Sequence, residues 1–178
     1  MDMTDDAVVT FGKTGPAGTS FSDVGYMPVN QLTLGSNPLQ LPSDSSHFFI
    51  SYSGKGVQDA SGHISYTSLH YELIRYTGPL ASFSVDGGKA TVTGASNRTV
   101  IAQGDLIKNQ GNLQIAYADP GHTIIAGIAG NIDASVKIGG KTVGELDISV
   151  NHSGTDLGPA AGGFTLTGGT LHATFLPV

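Results

Sequence analysis

An all-β, mostly antiparallel fold, a single-domain β-barrel or β-sandwich of about 9–12 strands with little helix, is what this sequence predicts. Three observations lead there. Apolar and polar residues alternate in run after run, the period of a half-buried strand. Glycine supplies 26 of 178 residues and often falls in pairs between those runs, where tight turns belong. Charged residues make up only 12%, about half the usual share, and few charges with many Gly, Thr and Ser suit short strands joined by turns. A chain of this length buries roughly 70% of its unfolded surface, so residues 1–178 can form one domain without disulfide or metal staples.

Residues 1–45 are the less regular part. Gly, Pro and Ser loops at GKTGPAGTS and GSNPLQLPSDSS surround short apolar runs at AVVTF and QLTL. Residues 46–178 read as a meander of hairpins. HFFISYSGKGVQDASGHISYTSLHYELIRY is a long hairpin with a polar loop. Its second arm is ambiguous by period, since Tyr66, Leu69, Leu73 and Tyr76 fit a helix while Leu69, Tyr71 and Leu73 fit a strand. Its Tyr, Thr and Ile content and its surroundings favour the strand.

In FSVDGGKATV, pairing Val85 with Ala90 leaves Gly87-Gly88 as a two-residue loop and sets Asp86 opposite Lys89. RTVIAQGDLI, NLQIAYAD and HTIIAGIAG follow, separated by KNQGN and DPGH. Both faces of HTIIAGIAG are apolar or small, which predicts cover on both sides. In NIDASVKIGGKTVGELDISV, a two-residue loop would set Ala134 against Glu145 and mix the faces. A three-residue loop, Gly139 to Lys141, pairs Ala134 with Leu146 and Ile132 with Ile148, so the spacing predicts an odd loop with a bulge. At the end, GFTLTGGTLHATF predicts a hairpin that pairs Leu166 with Leu171 and Phe164 with Ala173 around Gly168-Gly169.

Composition also narrows function. A net charge of −6 with eight Lys and Arg and no basic patch argues against a nucleic-acid partner. Absent cysteine removes disulfides, thiolate metal sites and cysteine nucleophiles. No apolar run approaches the length of a membrane helix, and the acidic start MDMTDDAVVTFG is unlike a signal peptide. The composition is compatible with a secreted or cell-surface protein. Weakly charged edge strands favour a homo-oligomer.

The richest stretch is SYTSLHYELIRYTG. As a strand it places Tyr66, His70, Glu72 and Tyr76 on one face with Ile64 and Ile74, His70 and Glu72 being about 7 Å apart. A carboxylate that orients an imidazole is what a general base needs, which makes His70 and Glu72 the candidate catalytic pair and all four residues candidate ligand contacts. His47, His63, His122, His152 and His172 form no metal-ligand spacing, and are expected to face solvent or be hydrogen-bonded. No metal or cofactor is expected. FGKTGPAG lacks the first glycine of a P-loop, and NHSGTDLG lacks the acidic pattern of an EF-hand.

The expected function is thus a non-catalytic binding or structural β-domain, for a small apolar molecule, a glycan or a protein. One rival is a barrel carrier, cyclase or isomerase with Tyr66, His70, Glu72 and Tyr76 inside an apolar lumen. Another is adhesion or ice binding through the row Thr165, Thr167, Thr170, His172 and Thr174.

Overall fold

The computed structural model describes residues 1–34, 37–38, 46–86, 88–107, 112–160 and 162–178. They form fourteen strands and no helix. In chain order these are β1 (Asp2–Gly15), β2 (Gly18–Gln31), β3 (Thr33–Leu34), β4 (Asn37–Pro38), β5 (Ser46–Gln58), β6 (His63–Thr77) and β7 (Ser82–Asp86). They continue with β8 (Lys89–Thr93), β9 (Ser96–Asp105), β10 (Asn112–Tyr117), β11 (Ile125–Ile138), β12 (Lys141–Ser153), β13 (Leu157–Ala160) and β14 (Gly163–Pro177). Ten of them make one antiparallel sheet, and β3–β4 and β7–β8 are separate two-stranded sheets.

The large sheet closes on itself. From β1 it runs through β2, β5, β6, β11, β12 and β14, and β14 pairs again with β1. Between β6 and β11 one place is shared: β9 pairs with β6 from His70 to Thr77, and β10 with its start at Ile64. The ring therefore has eight strand positions. Closure removes most of the free edges.

Alternation then decides the core. Met3, Ala7, Ile50, Tyr71, Ile132, Ile148 and Leu171 are among the inward side chains, buried from every wall of the ring. A second, smaller cluster lies outside it. Phe49, Ile74 and Tyr76 point outward and are covered with the help of Tyr26 and Phe83, Phe83 belonging to the β7–β8 hairpin. That hairpin lies against β1 and β2, and the outward Val8 is buried there too. HTIIAGIAG has no such cover: Ile128 faces the interior, but Ala129 on the other face is exposed.

Several registers match the sequence pattern. β5 and β6 form the long hairpin, and SYTSLHYELIRYTG lies in a strand except at its last residue. Val85 pairs with Ala90 and Asp86 with Lys89, Gly87 lying outside the described residues. In β11–β12, Ala134 pairs with Leu146 and Ile132 with Ile148, as expected. The loop there has two residues rather than three, because Ile138 pairs with Lys141 across Gly139-Gly140. The odd residue is Val143, bulged within β12.

Two further expectations fail. Residues 1–45 are not mainly irregular: β1 and β2 form one of the longest hairpins in the molecule. The C-terminal hairpin is a single strand, β14, in which Gly168-Gly169 makes a bulge and not a turn. Asp5 of β1 pairs with Gly169 and Asp6 with Thr167, which leaves Gly168 as the extra residue at φ +73°. A glycine at positive φ serves a bulge as well as a tight turn. Either arrangement keeps Phe164, Leu166, Leu171 and Ala173 on one face, and all four are buried. The difference is that β14 finds its partners in β1 and β12.

Candidate functional site

In β1 the inward positions read Met3, Asp5, Ala7, Val9, and in β2 Phe21, Asp23, Gly25, Met27. Each strand thus aims one carboxylate into an apolar interior, and Asp5 and Asp23 are both buried. Tyr52 from β5, Tyr66 from β6 and His152 from β12 reach the same place. The Tyr52 hydroxyl donates to Asp5, 3.1 Å from both carboxylate oxygens, and lies 3.4 Å from Asp23 Oδ1. Tyr66 donates to Asp23 Oδ2 at 2.5 Å. His152 Nε2 stands 3.4 Å from Asp5 Oδ2, outside the geometry of a hydrogen bond, and among the described residues neither ring nitrogen has a hydrogen-bond partner.

Three glycines make room for these side chains. A Cβ on Gly25 would sit 2.8 Å from the Tyr52 hydroxyl, one on Gly54 2.6 Å from the Tyr66 ring, and one on Gly169 1.7 Å from His152 Nδ1. Each bulky polar group thus lies across the bare backbone of a neighbouring strand. The bulge at Gly168 sets Gly169 inward to receive His152.

Electrostatics here are governed by burial. Removal from water pushes the Asp23 carboxyl up to about 7, with the charge of Asp5 adding to the rise. Burial raises Asp5 as well, opposed by His152 and Tyr52. Both phenols are pushed well above their ordinary value, by burial first and by the carboxylates beside them. Among the described residues no Lys or Arg side chain lines the cavity at this cluster.

The interior has two hollows. The inner one, about 50 Å³, is lined by Asp5, Asp23, Tyr52, Tyr66 and His152 and closed in by apolar side chains such as Phe21 and Leu113. The outer one, about 710 Å³, opens at the end of the ring where Leu73, Ala102, Val136, Leu146 and Ala173 face it. Ile50 and Tyr71 line both and stand between them. Tyr71 is held there by its hydroxyl, which donates to the Ser135 carbonyl at 3.0 Å.

The four residues singled out from sequence do not share a face. Lys55 pairs with Ser68 but Gly56 with Tyr66, so Thr67 is an extra residue in β6. Alternation inverts across it. Ile64 and Tyr66 face inward before the bulge, Leu69, Tyr71 and Leu73 after it, and His70, Glu72, Ile74 and Tyr76 face outward. Only Tyr66 of the expected set reaches the lumen. His70 is exposed and its Nδ1 lies 2.8 Å from Asp105 on β9, not on Glu72; Lys137 holds the other oxygen of Asp105 at 2.6 Å. Those two partners lower the Asp105 carboxyl, Lys137 most. Glu72 is half-buried on the outer face. Tyr76 is buried under the β7–β8 hairpin, where its hydroxyl accepts from the Ala81 amide at 3.1 Å.

Among the other histidines, His152 departs from expectation, being neither solvent-facing nor hydrogen-bonded. Among the described residues no three His, Asp or Glu side chains are placed to share a metal ion. Among the described residues no helix is long and apolar enough to cross a membrane. The Thr row lies outward along the single strand β14, with Asp6 of β1 beside Thr167 and Asp147 of β12 beside Thr174.

Asp5, Asp23, Tyr52 and His152 were not singled out by sequence reasoning. The available signal was one aspartate at an inward position of each of two adjacent apolar alternations. No protein-family model, curated protein or solved structure matches this chain.

Proposed function

We propose that this protein binds a small, largely apolar molecule in the open end of its ring. The observation that carries the reading is the outer hollow of about 710 Å³, walled by Leu73, Ile101, Ala102, Val136, Val143 and Leu146. Sites for small ligands are hollows of roughly 300–1,000 Å³, mostly apolar with a few fixed polar groups, and the buried Asp–Tyr–His cluster lies beyond its floor. Binding rather than turnover is the role assigned, so the protein acts as a carrier or a sensor.

Titration with N-phenyl-1-naphthylamine, an uncharged fluorescent apolar probe, tests it. Saturable binding is expected in the wild type. Ala173→Phe, which fills the hollow from β14, is expected to weaken it about tenfold or more while the far-ultraviolet circular dichroism stays that of a β protein. An absence of saturable binding to the wild type would defeat the proposal.

A further inference from the structure

The polar groups of the inner hollow are unequally matched. Two carboxylates offer about eight acceptor sites between them, and facing them among the described residues are the Tyr52 and Tyr66 hydroxyls, the Asp6 amide and, 3.4 Å from Asp5 Oδ2, the His152 Nε2. The other ring nitrogen of His152, Nδ1, is able to accept and has no hydrogen-bond partner among the described residues. Among the described residues no lysine or arginine side chain enters. Tyr52 stands between the two aspartates, and no three-ligand metal geometry exists among the described residues. A compact group with several donors and one positive charge would complement these acceptors. An ammonium has three donors on a single cationic nitrogen, and a buried carboxylate is stable as an ion only when paired.

We propose that the ligand is an amine with an apolar body, its ammonium head seated between Asp5, Asp23 and His152 and its body running past Ile50 and Tyr71 into the open hollow. This rests on the small-molecule reading above and names the ligand's chemistry. The size of the inner hollow agrees: about 50 Å³ is several times what one water needs and far below what the whole ligand needs. Burial and the charge of Asp5 raise the Asp23 carboxyl to about 7, and an ammonium beside it would favour its charged form. Seating the head requires the floor side chains Ile50 and Tyr71 to part, a rearrangement of two rotamers within an otherwise closed wall.

The test is displacement of N-phenyl-1-naphthylamine from the full chain at pH 8 by n-octylamine, octan-1-ol and octanoate, which share one tail. Octylamine is expected to displace the probe at a concentration about tenfold or more below octanol, the scale of one charge-assisted hydrogen bond, with octanoate weakest. Asp23→Asn and Asp5→Asn are each expected to bring octylamine close to octanol. The amine preference of the wild type needs no variant, so a variant that failed to fold would leave the comparison standing. Octanol as effective as octylamine, or a preference that survives both substitutions, would overturn the proposal and leave the small-molecule reading intact. So would a probe that binds but yields to none of the three. If the probe itself does not bind, the small-molecule reading fails first and this one with it.

Discussion

Replacing Asp23 by Asn should remove a large part of the pH dependence of this protein's stability. In the ring the Asp23 carboxyl titrates at about 7, against an ordinary 3.8, because it is out of water and beside Asp5. Between those values the folded chain keeps a proton that the unfolded chain has released. Each pH unit in that window therefore lowers stability by about 1.4 kcal/mol. Below 3.8 both states are protonated and the contribution is intact; above about 7 both are ionised and the loss is complete. The window is about three units wide, which makes the full loss about 4 kcal/mol. Asp5, also raised by burial, acts in the same direction. Asn at position 23 keeps an oxygen for the Tyr66 hydroxyl but has nothing to ionise. Urea unfolding, followed by tyrosine fluorescence in a chain with six Tyr and no Trp, would be run from pH 4.5 to 8.5. Across that range the variant is expected to gain on the wild type by about 3 kcal/mol, the part of the window the range covers. Parallel stability profiles for the two proteins would refute the reasoning, since they would mean that Asp23 does not sit protonated in the interior.

Two further outcomes follow from the packing. Gly169→Ala places a methyl 1.7 Å from the His152 ring and should cost about 1–3 kcal/mol, the usual scale of overpacking; adding His152→Ala should recover most of it in a double-mutant cycle by thermal unfolding, and independent, additive effects would deny the contact. His70→Ala and Glu72→Gln, both on the outer face, should leave the affinity for the neutral probe unchanged within about twofold and shift stability by less than about 1 kcal/mol. A tenfold loss of probe affinity in either would put the outer face of β6 into the site.

How far the sequence could be read depended on how local the deciding contact was. The β7–β8 pairing and the register of β11–β12 lie within single hairpins, so alternation suffices for them, although it could not place the odd residue of β12 at Val143 rather than in the loop. At Gly168-Gly169 the local signal is degenerate, because a positive φ is wanted by a bulge and by a turn alike. The choice is made by β1, whose pairing with β14 spans nearly the whole chain. The first hairpin was obscured differently. Asp5 and Asp23 occupy inward positions and break an apolar alternation that is otherwise clean, so the residues that make the site also hide its strands. In β6 one extra residue, Thr67, was enough to separate Tyr66 from His70, Glu72 and Tyr76. A bulge in mid-strand leaves little trace in composition, and a face assignment carried across it is inverted.

The seam between β1 and β14 has a consequence for how the molecule is made. Its pairs include Asp2 with His172, whose side chains meet across a sequence separation of 170, and contacts of such range form late and slow folding. During synthesis β1 is the first ring strand to emerge, and one of its two edges has no partner until β14 follows. For that interval the chain is an open sheet with an exposed edge and a half-built interior, the kind of species that pairs with its own copies. Cellular yield should therefore depend on how quickly the last strand arrives and docks, more than on the stability of the ring once closed.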